Sequence, residues 1–228
     1  MRLLIAFLAF LLSVTFYGQN DYSMSFDGDD DYIILNQNLD ISSSDFTLIA
    51  WTKRTNNDSC AYNYIFGDNS TAVTNNNLAF GFNGCASNCP GGDCMHIGFH
   101  NGGLYTASYP SNSWVNWAAT YNYNTLERKI YRDGILVAND YASSAYSGPS
   151  NLIIGANYTW FADDFEGLMD NTSVWNTVLS EQEIQQYMSC PPSGNEEGLV
   201  GYWNFEEGSG TTAYDLTANG NDGAINGA

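Results

Sequence analysis

The sequence predicts an all-β protein, two antiparallel sheets packed face to face with one short helix near the C-terminus. Three observations carry that expectation. In residues 114–121 and 128–137, aromatic and aliphatic residues interleave with polar ones at a period near two, as half-buried strands require. Turn residues punctuate the chain at short intervals: Asn122, Asn124 and Thr125 between those two runs, then Asp133-Gly134, a pair suited to a two-residue hairpin. Aromatics reach 15% and glycine counts 22, while only 14% of the chain is charged. Short strands spaced this way describe a sandwich.

Taken in order, Met24 to Asp27 and Tyr32 to Leu35 read as strands around an acidic glycine turn. Phe46 to Trp51 reads as a buried strand, with Phe46, Leu48 and Ala50 on one side and Ile49 and Trp51 on the other. Tyr64 to Phe66 and Leu78 to Phe82 are shorter. His96 to His100 and Leu104 to Ser108 form a hairpin across Asn101-Gly102-Gly103. Beyond the central meander come Asn151 to Gly155 and a closing strand from Glu166 to Trp175. A helix starts at Ser180, because Ser180 and Glu183 have capping-box spacing and satisfy each other's backbone N–H. Ile184, Tyr187 and Met188 share one of its faces, and Pro191-Pro192-Ser193-Gly194 ends it.

Several stretches, in this order, resemble the laminin-G-like jelly rolls of the concanavalin A-like lectin/glucanase superfamily. They are Ser25-Phe26-Asp27-Gly28 with Asp30-Asp31-Tyr32, Phe46 to Trp51, the Trp114 to Val137 meander, Leu152-Ile153-Ile154-Gly155, and Gly167-Leu168-Met169-Asp170 with Leu179-Ser180 and Glu183-Ile184. The resemblance covers about residues 22–187 and implies a jelly-roll sandwich. It divides the chain into residues 1–18, a jelly roll over 19–190, and a linker and strand-forming tail over 191–228. The tail is similar to the segment that normally opens such a domain. It either docks as a missing outer strand or begins a truncated second repeat. Docking is favoured, since a two-strand remnant would expose Leu199, Tyr202, Trp203 and Phe205.

The net charge is −19. Without the leader, which holds only Arg2, 25 acids face 5 bases. So acidic a surface repels phosphate, which excludes nucleic acid and anionic membranes as partners. Residues 1–18 read as a secretory signal: Arg2, then an apolar run over 3–12 too short to span a bilayer, with a cut near Gly18-Gln19 despite bulky Phe16. A secreted, extracellular or cell-surface location follows, without membrane insertion. There the five cysteines are expected in disulfides. Cys85, Cys89 and Cys94 sit in a glycine-rich loop stapled to itself or to Cys60; four cysteines allow three pairings. A zinc site is the sharper alternative, but the spacing lacks paired C-x2-C knuckles. Cys190 is left over.

For chemistry, the Glu-x-Asp-x-x-Glu strand of the superfamily's glucanases is absent. Glu127, Glu166, Glu181 and Glu183 have no suitable partners, and His96 and His100 read as ordinary strand residues. No catalytic residue is assigned. Asp27, Asp29, Asp30 and Asp31 crowd one turn, the oxygen-rich environment a hard cation needs. The resemblance implies a structural Ca²⁺ joining that turn to the last strand, with Asp27, Asp30 and Asp170 as side-chain ligands. A second oxygen-rich loop runs from Asp215 to Gly223, and turn chemistry alone explains it. Trp51, Trp114 and Trp175 match core positions of the family and are assigned to packing. Trp160 and Phe161, flanked by Tyr158, Asp163 and Asp164, lie outside any alternating run. With Tyr109, near Tyr105 and Asn112, they form the candidate ligand surface, since aromatic faces stack on sugars. Asn57, Asn69, Asn157 and Asn171 open Asn-x-Ser/Thr sequons. The expected function is a non-catalytic binding module for carbohydrate or an extracellular protein, as in adhesion. A glycan-degrading hydrolase and a purely structural spacer are the alternatives.

Overall fold

The computed structural model describes residues 22–39, 41–55, 62–68, 77–84, 89, 92–99, 102–109, 112–149, 151–157 and 164–228. Residues 1–18, read from the sequence as a secretory signal, and Cys60, Cys85, His100, Tyr158, Trp160, Phe161, Asp163, Asn57 and Asn69 lie outside them. Among the described residues, fifteen strands and one helix follow in chain order: β1 (Met24–Asp27), β2 (Tyr32–Leu35), β3 (Phe46–Arg54), β4 (Tyr62–Asp68), β5 (Leu78–Asn83), β6 (Cys94–Phe99), β7 (Gly103–Ser108) and β8 (Val115–Tyr121). Then come β9 (Glu127–Arg132), β10 (Ile135–Tyr141), β11 (Leu152–Ile154), β12 (Glu166–Trp175), α1 (Glu181–Ser189), β13 (Leu199–Trp203), β14 (Thr212–Ala213) and β15 (Gly223–Asn226).

The strands pair antiparallel in two sheets. One runs β1-β12-β3-β8-β9-β10, with β13 also on β12; the other runs β14-β15-β2-β11-β4-β5-β6-β7. This is the jelly-roll sandwich expected. Its core comes from the inward positions of both layers: Phe46, Phe66, Phe80, Phe82, Trp117, Tyr121 and Trp203 are fully buried. Each such side chain contributes about 1.5–3 kcal/mol relative to leaving it in water. At the β9–β10 reversal both Asp133 and Gly134 have positive φ, 51° and 73°, the conformation a tight hairpin of matching twist requires.

The tail supplies strands to both sheets. β13 pairs with β12 and β15 pairs with β2, so Trp203 and Phe205 enter the core. One edge of β12 therefore holds two strands end to end, β1 against Glu166 to Met169 and β13 against Thr172 to Trp175. Between them the β12 register slips against β3, and Asn171 has φ 46°. A bulge of this kind bends a strand and re-aims its side chains.

The helix is capped as the sequence predicts: Ser180 accepts from Glu183 N, and the Glu183 carboxylate accepts from Ser180 N at 2.7 Å. It covers the outer face of the seven-stranded sheet, where Ile184 joins Ile49, Ala118, Trp175, Leu199 and Tyr202 in a second apolar cluster. The Trp175 ring lies 4.6 Å from that of Tyr187. Trp175 is thus a packing residue. Trp114 is not: it precedes β8 and remains 40% exposed. Trp51 is half-buried on the outer face, opposite Asp170. Cys89 and Cys94 form a disulfide, and Cys190 is free and exposed. The Arg54 guanidinium pairs with Asp93 in the same segment and lies 4.5 Å from the Phe82 ring centre. Burial lowers Arg54 to about 10, partly opposed by Glu166.

Candidate functional site

The strand registers gather one set of chain reversals at one end of the sandwich. The starts of β2, β4 and β6 and the ends of β5, β7 and β11 meet there. The end of β1 and the start of β12 meet there too, Asp27 opposite Glu166. This rim carries two distinctive groups, an acidic turn and an aromatic row.

The acidic turn closes tightly because Gly28 takes φ +83° over the Glu166 side chain, where a Cβ would sit 2.9 Å from that of Glu166. Asp27 N donates to Asp31 Oδ2 at 2.8 Å, and Asp29 N to Asp27 Oδ1 at 2.9 Å. Carboxylate oxygens of Asp27, Asp30 and Asp31 come within 4.8 Å of one another. Among the described residues no Lys or Arg pairs with them. Burial raises Asp31, with the charges of Asp27 and Asp30 adding to it. Asp164, just before β12, is pushed up to about 6 by burial and by Asp29, Asp27, Asp30 and Asp31. Gly227 closes over the turn, where a Cβ would meet Asp31 Oδ1. Like charges held together without a counter-charge fit a hard divalent cation.

The carboxylates brought together differ from the set expected. Asp27 and Asp30 are brought together, and Asp31 completes the group. Asp170 does not join it, lying four residues beyond Glu166, the partner of Asp27, along an extended strand. Its carboxylate instead accepts from Asn171 N at 2.7 Å and Asn171 Nδ2 at 2.9 Å.

The aromatic row runs across the outer face of the eight-stranded sheet. Met95, Ile97 and Phe99 of β6 point into the core, so the alternation puts His96 outward. Ring centres of Tyr62 and Tyr64 are 6.2 Å apart, Tyr64 and His96 6.4 Å, and His96 and Tyr105 4.7 Å. Glycines make the row possible. A Cβ on Gly98 or Gly103 would fall 2.4 Å from His96 Nε2, so only glycine lets the imidazole lie down between Tyr64 and Tyr105. Burial, then Arg128, hold His96 down at about 3, so the ring is neutral, and its Nδ1 has no hydrogen-bond partner among the described residues. Burial raises Tyr105, with the Tyr62 hydroxyl next.

Of the sequence candidates, Tyr105 belongs to this row and Tyr109 does not. Tyr109 caps the core edge, 5.8 Å from the Trp117 ring and under the Arg132 guanidinium at 5.1 Å. Both flanks of residues 158–163 are fixed at the rim: Asn157 packs over Gly67, and Asp164 O accepts from Asn63 Nδ2 at 3.0 Å. Tyr62, Tyr64 and His96 were missed because they come together only through strand register.

The second oxygen-rich loop has its acceptors in use: Asp215 takes the backbone N–H of Tyr202, Thr217 and Asn221 and the Thr217 hydroxyl. The sequon residue Asn157 is buried, and Asn171 is bonded to Asp170 and Tyr202. Glu127 pairs with Lys129 at 2.9 Å, and Glu181 and Glu183 lie in the first helical turn.

Residues 27–185 match the family model of the concanavalin A-like lectin/glucanases superfamily, in its Laminin_G_3 form. The chain belongs to this superfamily. Among solved structures, this laminin-G-like chain is similar to a protein from Bacteroides ovatus assigned to carbohydrate binding by name only. That match has TM-score 0.70 and 20% identity over 89% of this chain and 59% of the other. The chain thus spans well under two thirds of that protein. A Ruminococcus gnavus sialidase module, CBM40, matches with TM-score 0.55 and 12% identity over 72% of this chain and 95% of the module. Domain 4 of an extracellular arabinanase from Geobacillus stearothermophilus, solved with arabinotriose, matches with TM-score 0.54 and 14% identity, over 72% and 75%. A search of curated proteins finds none similar in sequence. No helix among the described residues is long and apolar enough to cross a membrane.

Proposed function

We propose that this chain is a non-catalytic carbohydrate-binding module of an exported protein, with its ligand site where the aromatic row meets the acidic turn. The observation that carries this reading is the row itself. Tyr62, Tyr64, His96 and Tyr105 form a continuous, uncharged aromatic row beside a loop-bearing rim, with Tyr64 and His96 buried beneath it and Tyr62 and Tyr105 half-exposed. The half-exposed Tyr62 and Tyr105 offer aromatic surface to the apolar face of a pyranose or furanose, with hydroxyls to meet those of the sugar, while Tyr64 and His96 hold them in place. The sugar-binding names of the similar structures support the same reading, and the leader-like residues 1–18 support export. Ca²⁺ at Asp27, Asp30 and Asp31, with Asp164 beside them, would neutralise the turn and hold the rim in shape.

The test is a titration of the protein with a glycan panel, with and without EDTA, in wild type and Tyr105→Ala. A bound glycan, weakened at least tenfold by Tyr105→Ala and weakened by EDTA, is the expected result. Unchanged affinity in Tyr105→Ala removes the row from the site. Release of free reducing sugar establishes the hydrolase instead. No glycan bound at all leaves a spacer.

A further inference from the structure

The other layer of the sandwich carries a second opening. On the outer face of the seven-stranded sheet, beside the C-terminal end of α1, is a cavity of about 570 Å³ lined by Asn171, Pro192, Tyr202, Asn204, Glu206 and Leu216, among others. It lies beside the point where β1 and β13 abut along β12, where the strand bulges and Asn171 takes φ 46°. A non-glycine residue in that conformation stores backbone strain, and it persists where the surroundings fix it. Here they do. Asp170 accepts from Asn171 N and Nδ2, and the Tyr202 hydroxyl donates to Asn171 Oδ1.

The lining has the composition of a small polyol site. Leu216, 44% exposed, and Pro192 supply an apolar wall. Asn204 Oδ1 accepts from Glu206 N at 3.3 Å, which leaves its amide Nδ2 as a donor; the Glu206 carboxylate has no hydrogen bond to a described residue. A free donor and a free charged acceptor beside an apolar wall suit adjacent sugar hydroxyls and a C–H face. The charge fixes the class. Asp170, Glu206 and Glu196 all raise Tyr202, after burial, so the cavity is electronegative and repels carboxylated or sulfated sugars.

We infer that this cavity is a second carbohydrate subsite, on the opposite face from the aromatic row, taking one neutral glycosyl unit. It rests on the reading of the chain as a carbohydrate-binding module, but uses none of the residues of the row. Two sites on opposite faces cannot grip one short oligosaccharide. They tether two chains, and their benefit is avidity on a dense glycan.

The ¹⁵N-labelled protein titrated with neutral hexoses, pentoses and their short oligomers, and separately with sialic acid, tests this. Sugar at about 20 mM populates a millimolar site. Neutral sugars are expected to shift the amides of Asn171, Tyr202, Asn204 and Glu206 as a group separate from those around Tyr105. The double variant Asn204→Ala/Glu206→Ala weakens that group's response at least tenfold with the row's titration unchanged. Asn171→Gly keeps the backbone conformation without strain and also weakens it, so loss of binding is separable from loss of fold. If the row responds and the cavity is silent to every neutral sugar, the second subsite is overturned and the module reading stands. A cavity that responds with a silent row upholds the subsite and removes the row. Silence at both ends both readings. Equal response to sialic acid at the cavity overturns the charge argument and with it the assigned class.

Discussion

Two loops of this chain read alike in sequence and do opposite things in the fold. Asp27 to Asp31 and Asp215 to Gly223 are both short, acidic and glycine-containing. In the second, Asp215 accepts at 2.7–3.1 Å from Tyr202 N, Thr217 N, Thr217 Oγ1 and Asn221 N, and Asp222 accepts from Asp215 N at 2.9 Å. Asn221 Nδ2 in turn donates to Val200 O at 2.8 Å. Its lone pairs are used by the loop itself, so the carboxylate is a staple. In the first, among the described residues, two backbone N–H groups donate to carboxylates while Asp27, Asp30 and Asp31 face one another. Oxygen count therefore says little about a cation site; what matters is which oxygens the protein has left unused.

The largest predicted effect tests whether the C-terminal loop belongs to the fold. Truncation before Gly198 strips β13 from β12 and β15 from β2 and uncovers Trp203 and Phe205. The shortened chain is expected to lose its cooperative thermal transition; a retained sharp transition would show that the sandwich stands without its tail. Next, Asp215→Ala orphans four donors, three of them backbone N–H groups. A loss of about 3 kcal/mol, or roughly 10 °C in Tm, is expected, the same with calcium and with EDTA. Dependence of that loss on calcium would erase the contrast between the loops.

The acidic turn should behave the other way round. Saturating calcium raises the stability of the wild type by about 2.7 kcal/mol when the ion is at a hundred times its Kd, and EDTA removes this. Asp31→Asn, which relieves repulsion in the metal-free protein, is expected to be as stable as wild type or slightly more so in EDTA, and to gain little from calcium. A wild-type melting curve unmoved by calcium sinks the cation reading and leaves a merely solvated turn.

What the sequence made legible was local. Alternation in the Trp114 to Val137 meander, positive φ at Asp133 and Gly134, and the Ser180–Glu183 capping box each depend on residues a few positions apart, and each appears in the structure where the chain says. The sites are another matter. Tyr64, His96 and Tyr105 become neighbours only when β4, β5, β6 and β7 take their register, with Gly81 of β5 between Tyr64 and His96. No short-range pattern encodes that. The same non-locality misplaced Asp170: nearness to the last strand is not nearness to the turn, since a strand advances about 3.3 Å per residue and Asp170 is four residues from the level of Asp27. Trp114 failed for a related reason, because one residue of offset at a strand start turns a packed ring into an exposed one.

The smallest predicted effect is also the one that separates protons from metal at the turn. Asp164 is pushed up to about 6 and Asp31 is raised. Above their ordinary range near 4 the folded protein therefore holds protons that the unfolded chain has released. Stability in EDTA is then highest at low pH and falls as pH rises through about 6, because the native state binds more protons than the unfolded one. The Asp68 carboxyl must be taken out of the comparison first. Buried in β4 and accepting from Leu78 N at 2.8 Å, it is driven up to about 7 chiefly by burial and titrates in the same window. In an Asp68→Asn background, EDTA should leave a modest gain in Tm between pH 7 and pH 5. Saturating calcium should reverse its sign, since protons then compete with the ion for the same oxygens. If both curves slope the same way, the carboxylates of the turn are not where calcium acts.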